Sequence, residues 1–192
     1  MRQMLLVLIV AFLAPCFAPA QGCDDVRRFD FRNANIKVAA TDDGGHSGGG
    51  AFQFHDGVAY LSDGPDWPQS HGWRVELALD RVIHPDSSDW IRVIVLEKNH
   101  LTGTGDWHYI MAFTCRNGSL IRLFQYGSEG VTLEHLGSQQ LALYQAAWGS
   151  DDARCCPTRH AEILYDWNAR KHRFDRASSI VGQGFRFVPD EK

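Results

Sequence analysis

The chain has 192 residues, 44% apolar and 22% charged, with 19 Lys and Arg against 23 Asp and Glu. These proportions are ordinary for a soluble globular protein and exclude a disordered acidic tail, a collagen-like chain and a polytopic membrane protein. The net charge is −4 and the basic residues are read as forming no run or stripe, so nucleic acid is not an expected partner.

Residues 1–20 combine Arg2, an apolar run over 4–14 and the small-residue pattern Ala18-Pro19-Ala20 before Gln21, the layout of a secretory signal peptide. The apolar run falls short of the ~20 residues that a membrane span needs. Cleavage after Ala20 is expected, leaving 21–192 as a single exported β-rich domain, secreted or periplasmic. It leaves 18 basic residues against 23 acidic ones, a net charge of −5. The alternative is a lipid anchor on Cys23, which follows the small residue Gly22, and only then would a membrane be a partner. Ala20 and Gln21 match the motif for such lipidation poorly.

From there the dominant signal is period two. Strands are predicted over 30–38, 51–54 and 58–61, the last two joined by Asp56-Gly57 as a hairpin. Residues 73–80 alternate Trp73, Val75, Leu77 and Leu79 against Arg74, Glu76 and Asp80, a half-buried strand. Residues 91–98 are apolar on both faces at their centre, as a central strand requires. Strands 107–114 and 120–126 flank Asn117-Gly118, which accepts the positive φ of a tight turn, and are expected to pair. Further strands are expected over 132–136, 141–144, 161–167 and 173–175. Residues 139–148 could instead form a short helix, because Leu141, Tyr144 and Trp148 also fit a helical spacing. Eleven strands with frequent turn signals predict an antiparallel all-β fold, a sandwich or a curled, barrel-like sheet with long loops; with a helix at 139–148 it would be α+β. Residues 41–50 hold no core-forming side chain and are expected to be a loop.

Several constellations invite a chemical reading. Gly45-His46-Ser47-Gly48-Gly49 matches the G-x-S-x-G nucleophile elbow, but that turn needs a buried strand before it and a helix after it, and neither is predicted here. The nine histidines never fall in H-x-H or H-E-x-x-H spacing. Cys155, Cys156 and His160 could share a soft metal, yet export favours bridged cysteines, so no metal or cofactor is expected. Loop carboxylates (Asp42, Asp43, Asp63, Asp66, Asp86, Asp89, Asp151, Asp152) could supply a glycosidase pair, although solvated turn residues account for them as well. Trp73, Trp107 and Trp167 fall in strands and are expected in the core. Trp67, in the turn-rich Gly64-Pro65-Asp66-Trp67-Pro68, is the candidate ligand contact, with a plug over the core as the plainer reading.

The segment from Trp148 through Cys155-Cys156-Pro157, followed by Tyr165-Asp166-Trp167 and Arg173-Phe174, resembles the C-terminal pattern of the LppP/LprE-like group of bacterial exported proteins and lipoproteins. The resemblance covers about the last third of the chain and rests mainly on Cys-Cys-Pro. It implies export and a small β-rich domain, and it brings no catalytic residue or cofactor. The lipoprotein members of the group carry a clear lipidation motif, from which this chain departs.

Signal cleavage would remove Cys16 and leave Cys23, Cys115, Cys155 and Cys156 in an oxidising compartment. Neighbours in an extended chain point to opposite faces, so Cys155 and Cys156 are expected to take separate partners, Cys115 bridging one and Cys23 the other. Which pairs with which is open. Two functions follow. The first is a non-catalytic exported binding or envelope-associated domain for an extracellular ligand; the second is a small hydrolase of envelope carbohydrates or esters using carboxylates or Ser47.

Overall fold

The computed structural model describes residues 22–39, 50–62, 72–87, 89–103, 106–153 and 156–183. They form eleven strands: β1 (Asn35–Val38), β2 (Gly50–Gln53), β3 (Val58–Ser62), β4 (Gly72–Ile83), β5 (Ile91–His100), β6 (Asp106–Arg116), β7 (Ser119–Glu129), β8 (Val131–Leu136), β9 (Gln140–Ala147), β10 (Arg159–Asn168) and β11 (Arg173–Gln183). Strands β3 to β7 make a five-stranded antiparallel meander, β8 to β11 a four-stranded one, and β1 pairs with β2. No sheet closes into a barrel, and the fold is an all-β sandwich. The 139–148 ambiguity resolves to strand. Leu141 and Leu143 enter the core from β9, and both edges of that strand are occupied, by β8 and by β10. Among the described residues no helix is long and apolar enough to cross a membrane.

The five-stranded sheet is covered on both faces, which explains the continuous apolar run in β5. Ile94 and Leu96 join Val75, Tyr109 and Met111 beneath Phe31, Ile36, Phe52 and Phe54 of the N-terminal segment and β1–β2. Ile91, Val93 and Val95 face the other way and meet Leu141, Leu143, Ile163 and Phe174 of the four-stranded sheet. Burying a side chain of this size contributes roughly 1.5–3 kcal/mol, so two cores on one sheet make it the most constrained part of the fold. Arg92 fastens the N-terminal layer: its guanidinium binds Asp80 and donates to the carbonyls of Val26 and Arg27 at 3.3 and 2.7 Å.

The Asn117-Gly118 hairpin forms as expected, with φ of 52° and 73° at the turn and β6 paired to β7 from Arg116↔Ser119 onward. The second hairpin does not form as expected. Asp56 and Gly57 turn with positive φ and a single bridge joins His55 to Val58, but β2 then leaves to pair with β1 and β3 with β4. The turn is captured instead by the N-terminal segment, through Gly57 N to the Arg32 carbonyl (2.8 Å) and Arg32 to the Asp56 carbonyl (2.6 Å). The strand predicted over 30–38 is interrupted for a related reason. Asp30 accepts from Arg32 N and caps a one-turn 3-10 helix, Phe31–Asn33, which drives Phe31 into the core before β1 begins. Strand β11 is far longer than the predicted 173–175, because its second half is exposed and carries no inward apolar alternation for a sequence reading to detect.

The cysteine pairing is corrected. Cys23 and Cys115 bond to each other, with Cα atoms 5.4 Å apart at a sequence separation of 92. Neither is left for Cys155 or Cys156. Cys156 is also disulfide-bonded, and Cys155 lies outside the described residues. The reason is proximity. The Gly22-Cys23 segment lies along the β6–β7 turn, with Gly22 bridging Ser119 and Cys23 N donating to the Gly118 carbonyl at 2.9 Å, which sets Cys23 beside Cys115 near the end of β6.

Candidate functional site

The β10–β11 turn is built by its own side chains. Asn168 Oδ1 accepts from the backbone N–H groups of Arg170 and Lys171, both at 3.1 Å, and His172 completes the turn with a φ of 48°. The turn is then tied across the sandwich to the segment before β5. Trp167 Nε1 donates to Asp86 at 2.7 Å, Gln139 donates to the Pro85 carbonyl at 2.8 Å, and His172 Nδ1 lies 2.5 Å from Asp89. Asp89, only 8% exposed, also takes Arg116 through both carboxylate oxygens at 3.3 Å. Rings of Trp167 and Phe174 meet edge to face at 5.2 Å over the core. The hairpin is thereby a rigid platform rather than a loose tip.

On that platform lies an open basin of about 400 Å³, lined by Asp166, Trp167, Asn168, Arg170, Asp175 and Arg176 together with two alanines. Its carboxylates are engaged. Asp175 accepts from Asn168 (2.8 Å), Arg173 (2.5 Å) and Lys171 (3.2 Å), and these partners, Asn168 foremost, hold its carboxyl below the usual range. Asp166 accepts from Gln140 at 2.9 Å. The two arginines differ: among the described residues neither guanidinium of Arg170 or Arg176 has an ion pair or a hydrogen bond. Two guanidiniums lining one concave, solvent-open surface present planar forks of donors that match carboxylate or phosphate oxygens.

The opposite end of the five-stranded sheet holds two polar-aromatic groups. On the face toward the N-terminal layer, Trp73 and Trp107 pack edge to face at 5.5 Å, and the nearly buried Lys98 sets its ammonium 4.2 Å from the Trp73 ring centre. These two indoles are half-buried at the sheet end rather than in the core; Trp167 does pack against the core. On the other face, Glu97, His108 and Ser128 stand in one row across β5, β6 and β7. His108 Nε2 lies 3.6 Å from Glu97 and 3.5 Å from Asp106. Burial depresses the imidazole pKa, but the Glu97 contact and the Asp106 charge outweigh it and the net shift is upward. An acid, an imidazole and a hydroxyl in register suggest a nucleophile and its base. However, no hydrogen bond joins His108 to Ser128 among the described residues, while Ser128 Oγ accepts from Gln145 at 2.9 Å. The row is a polar layer closing the end of the core.

Of the residues singled out from sequence, Ser47, Trp67, Asp42, Asp43, Asp63 and Asp66 lie outside the described residues. His160 stacks on Tyr144 with ring centres 5.0 Å apart, and no described group of three His, Cys, Asp or Glu side chains could hold a metal. Asp86 and Asp89 tie the sheets together. Asp152 organises its own loop by accepting from Gly149 N, Thr158 N and Thr158 Oγ1, at 2.6, 2.9 and 2.7 Å. The basin arginines were missed, although their signal was present: Arg170-Lys171-His172-Arg173, followed by Arg176, is a local basic run that a chain-wide reading of charge passes over. No protein-family model matches the chain, and no curated protein or solved structure is similar to it.

Proposed function

We propose that the protein is an exported, non-catalytic binding domain of the cell envelope that holds an anionic ligand in the β10–β11 basin. One observation carries this reading: Arg170 and Arg176 line a 400 Å³ concavity on a cross-braced hairpin, and no anion among the described residues engages them. In a chain of net charge −4 such a patch concentrates positive potential where the rest of the surface repels anions. Export is supported by the signal-like N-terminus and by the Cys23–Cys115 disulfide, a bond that suits an oxidising compartment. The likeness to the LppP/LprE-like group points the same way, and the residues that carry part of it, Tyr165 to Trp167 and Arg173-Phe174, are the two arms of this hairpin.

The test is calorimetry and thermal stabilisation of the mature protein with acidic and neutral envelope saccharides and peptidoglycan fragments. Acidic ligands are expected to bind and to raise the melting temperature, because a ligand held only by the native state stabilises it. Arg170→Ala/Arg176→Ala should abolish both effects. Equal binding by that variant would overturn the reading, and turnover of any of these compounds would replace it with the hydrolase alternative.

A further inference from the structure

Resting on the binding function just proposed, we infer that the basin's ligand is a phosphorylated saccharide, its phosphoryl group held by Arg170 and Arg176 and its hydroxyls by the carboxylates of the same wall. The lining is of mixed sign, which a simple anion site would not be. A single guanidinium satisfies a carboxylate through one bidentate pair of hydrogen bonds, whereas two arginines on one concavity, unpaired among the described residues, provide charge and donors for a phosphate monoester, which carries about −1.5 to −2 near neutral pH. The same lining presents Asp166, Asp175 and the Asn168 side chain. A carboxylate facing a bound anion would repel it, unless the ligand offers hydroxyl donors to that side. Saccharide hydroxyls are such donors, and an ionised carboxylate only accepts. The pairing of Asp175 with the cations Lys171 and Arg173 further lowers its repulsion of a neighbouring phosphate. Trp167, whose indole N–H is committed to Asp86, adds an aromatic surface at the base of the hairpin. A ligand with only one of these features would leave part of the lining unmatched.

The probes are glucose 6-phosphate, glucuronate, glucose and inorganic phosphate, titrated calorimetrically into the mature protein, together with vesicles of phosphatidylcholine containing phosphatidylinositol 4-phosphate. Glucose 6-phosphate is expected to bind about tenfold or more tightly than either glucuronate or inorganic phosphate, each of which lacks one half of the match. Arg170→Ala and Arg176→Ala should each weaken glucose 6-phosphate about tenfold or more. Asp166→Asn should bring its affinity down toward that of inorganic phosphate while leaving inorganic phosphate unweakened. Arg173→Ala, which removes a cation already paired with Asp175, serves as the control for a general loss of positive charge and should have the smaller effect. Binding to the vesicles but not to soluble glucose 6-phosphate would assign the phosphosugar to a lipid headgroup, and the converse to a free or polymer-borne one; either supports the inference. Glucuronate equal to or tighter than glucose 6-phosphate, or inorganic phosphate as tight as the sugar phosphate, would overturn it while leaving an anion-binding basin in place. No binding by any of these probes or by the acidic saccharides would overturn the underlying function as well.

Discussion

The two ends of the five-stranded sheet handle charge in opposite ways. At the end where β5 begins and β6 finishes, ionic contacts run between layers: Asp89 joins Arg116 of the five-stranded sheet to His172 of the other, and Asp86 receives Trp167. At the far end the charged groups pair within one sheet, as Glu97–His108 on neighbouring strands and Lys98 over Trp73, and the contact that crosses between sheets is neutral, from Gln145 of β9 to Ser128 and Tyr126 of β7. Contacts within a sheet reinforce a ladder that backbone hydrogen bonds already hold. Contacts between sheets fix how the layers sit on each other, and that braces the first end, where Arg170 and Arg176 line the basin.

Breaking the cross-braced end should cost most. Cys23→Ser/Cys115→Ser removes a link closing 92 residues of chain, and a loss of about 2–5 kcal/mol in denaturant unfolding is expected. Asp89→Ala should follow, at about 2–4 kcal/mol, because it strands His172 and Arg116 beside a buried vacancy and loosens the hairpin. Basin binding should weaken with it, which separates the between-sheet contacts from those at the far end. Gly130→Ala, at the β7–β8 junction of the far end, probes local geometry alone. Its φ is 63° and an added Cβ would stand 2.9 Å from the Ala146 Cβ, so about 1–3 kcal/mol is expected with hairpin binding unchanged.

The smallest effect is a pH dependence confined to the far end. His108 has a folded pKa raised above its ordinary 6.5, so its contribution is complete below that value and is lost as pH rises through the folded pKa. Glu97 is lowered below its ordinary 4.5, chiefly by the His108 contact, so its share is present above 4.5 and is lost as pH falls through the folded value. Both describe one ion pair, which therefore stabilises most between about pH 4.5 and 6.5. His108→Gln should flatten the stability profile on the alkaline side of that window; an unchanged profile would remove the pair from the account.

Much of the architecture is legible in the order of the residues. Alternation in residues 73–80 and the two-faced apolar run of 91–98 located β4 and β5, since strand periodicity and burial on both faces leave a direct mark on residue order. Asn117-Gly118 located its hairpin because few residues accept positive φ at two successive positions. Asp56-Gly57 carried the same local signal and misled. Turn chemistry specifies a reversal of the chain, but not whether its two arms remain partners when an N-terminal segment competes for one of them. The basin left a compositional trace in the basic run at 170–173, yet which of those cations is paired depends on side-chain distances that residue order does not contain.

Residue order by itself determined the strand count, the all-β class, the central strand and the tight turn at 117–118, because each follows from local conformational preference or from a period-two pattern of burial. Tertiary structure alone decided that Cys23 meets Cys115 rather than either member of the adjacent pair, that Asp89 and His172 tie two sheets together, and that among the described residues Arg173 is paired while Arg170 and Arg176 are not. Those outcomes join residues that are 92, 83 and, within the hairpin, only a few positions apart. In every case the selection is made by distance and direction in the packed state, where a shift of an ångström or two separates a bonded partner from a free one.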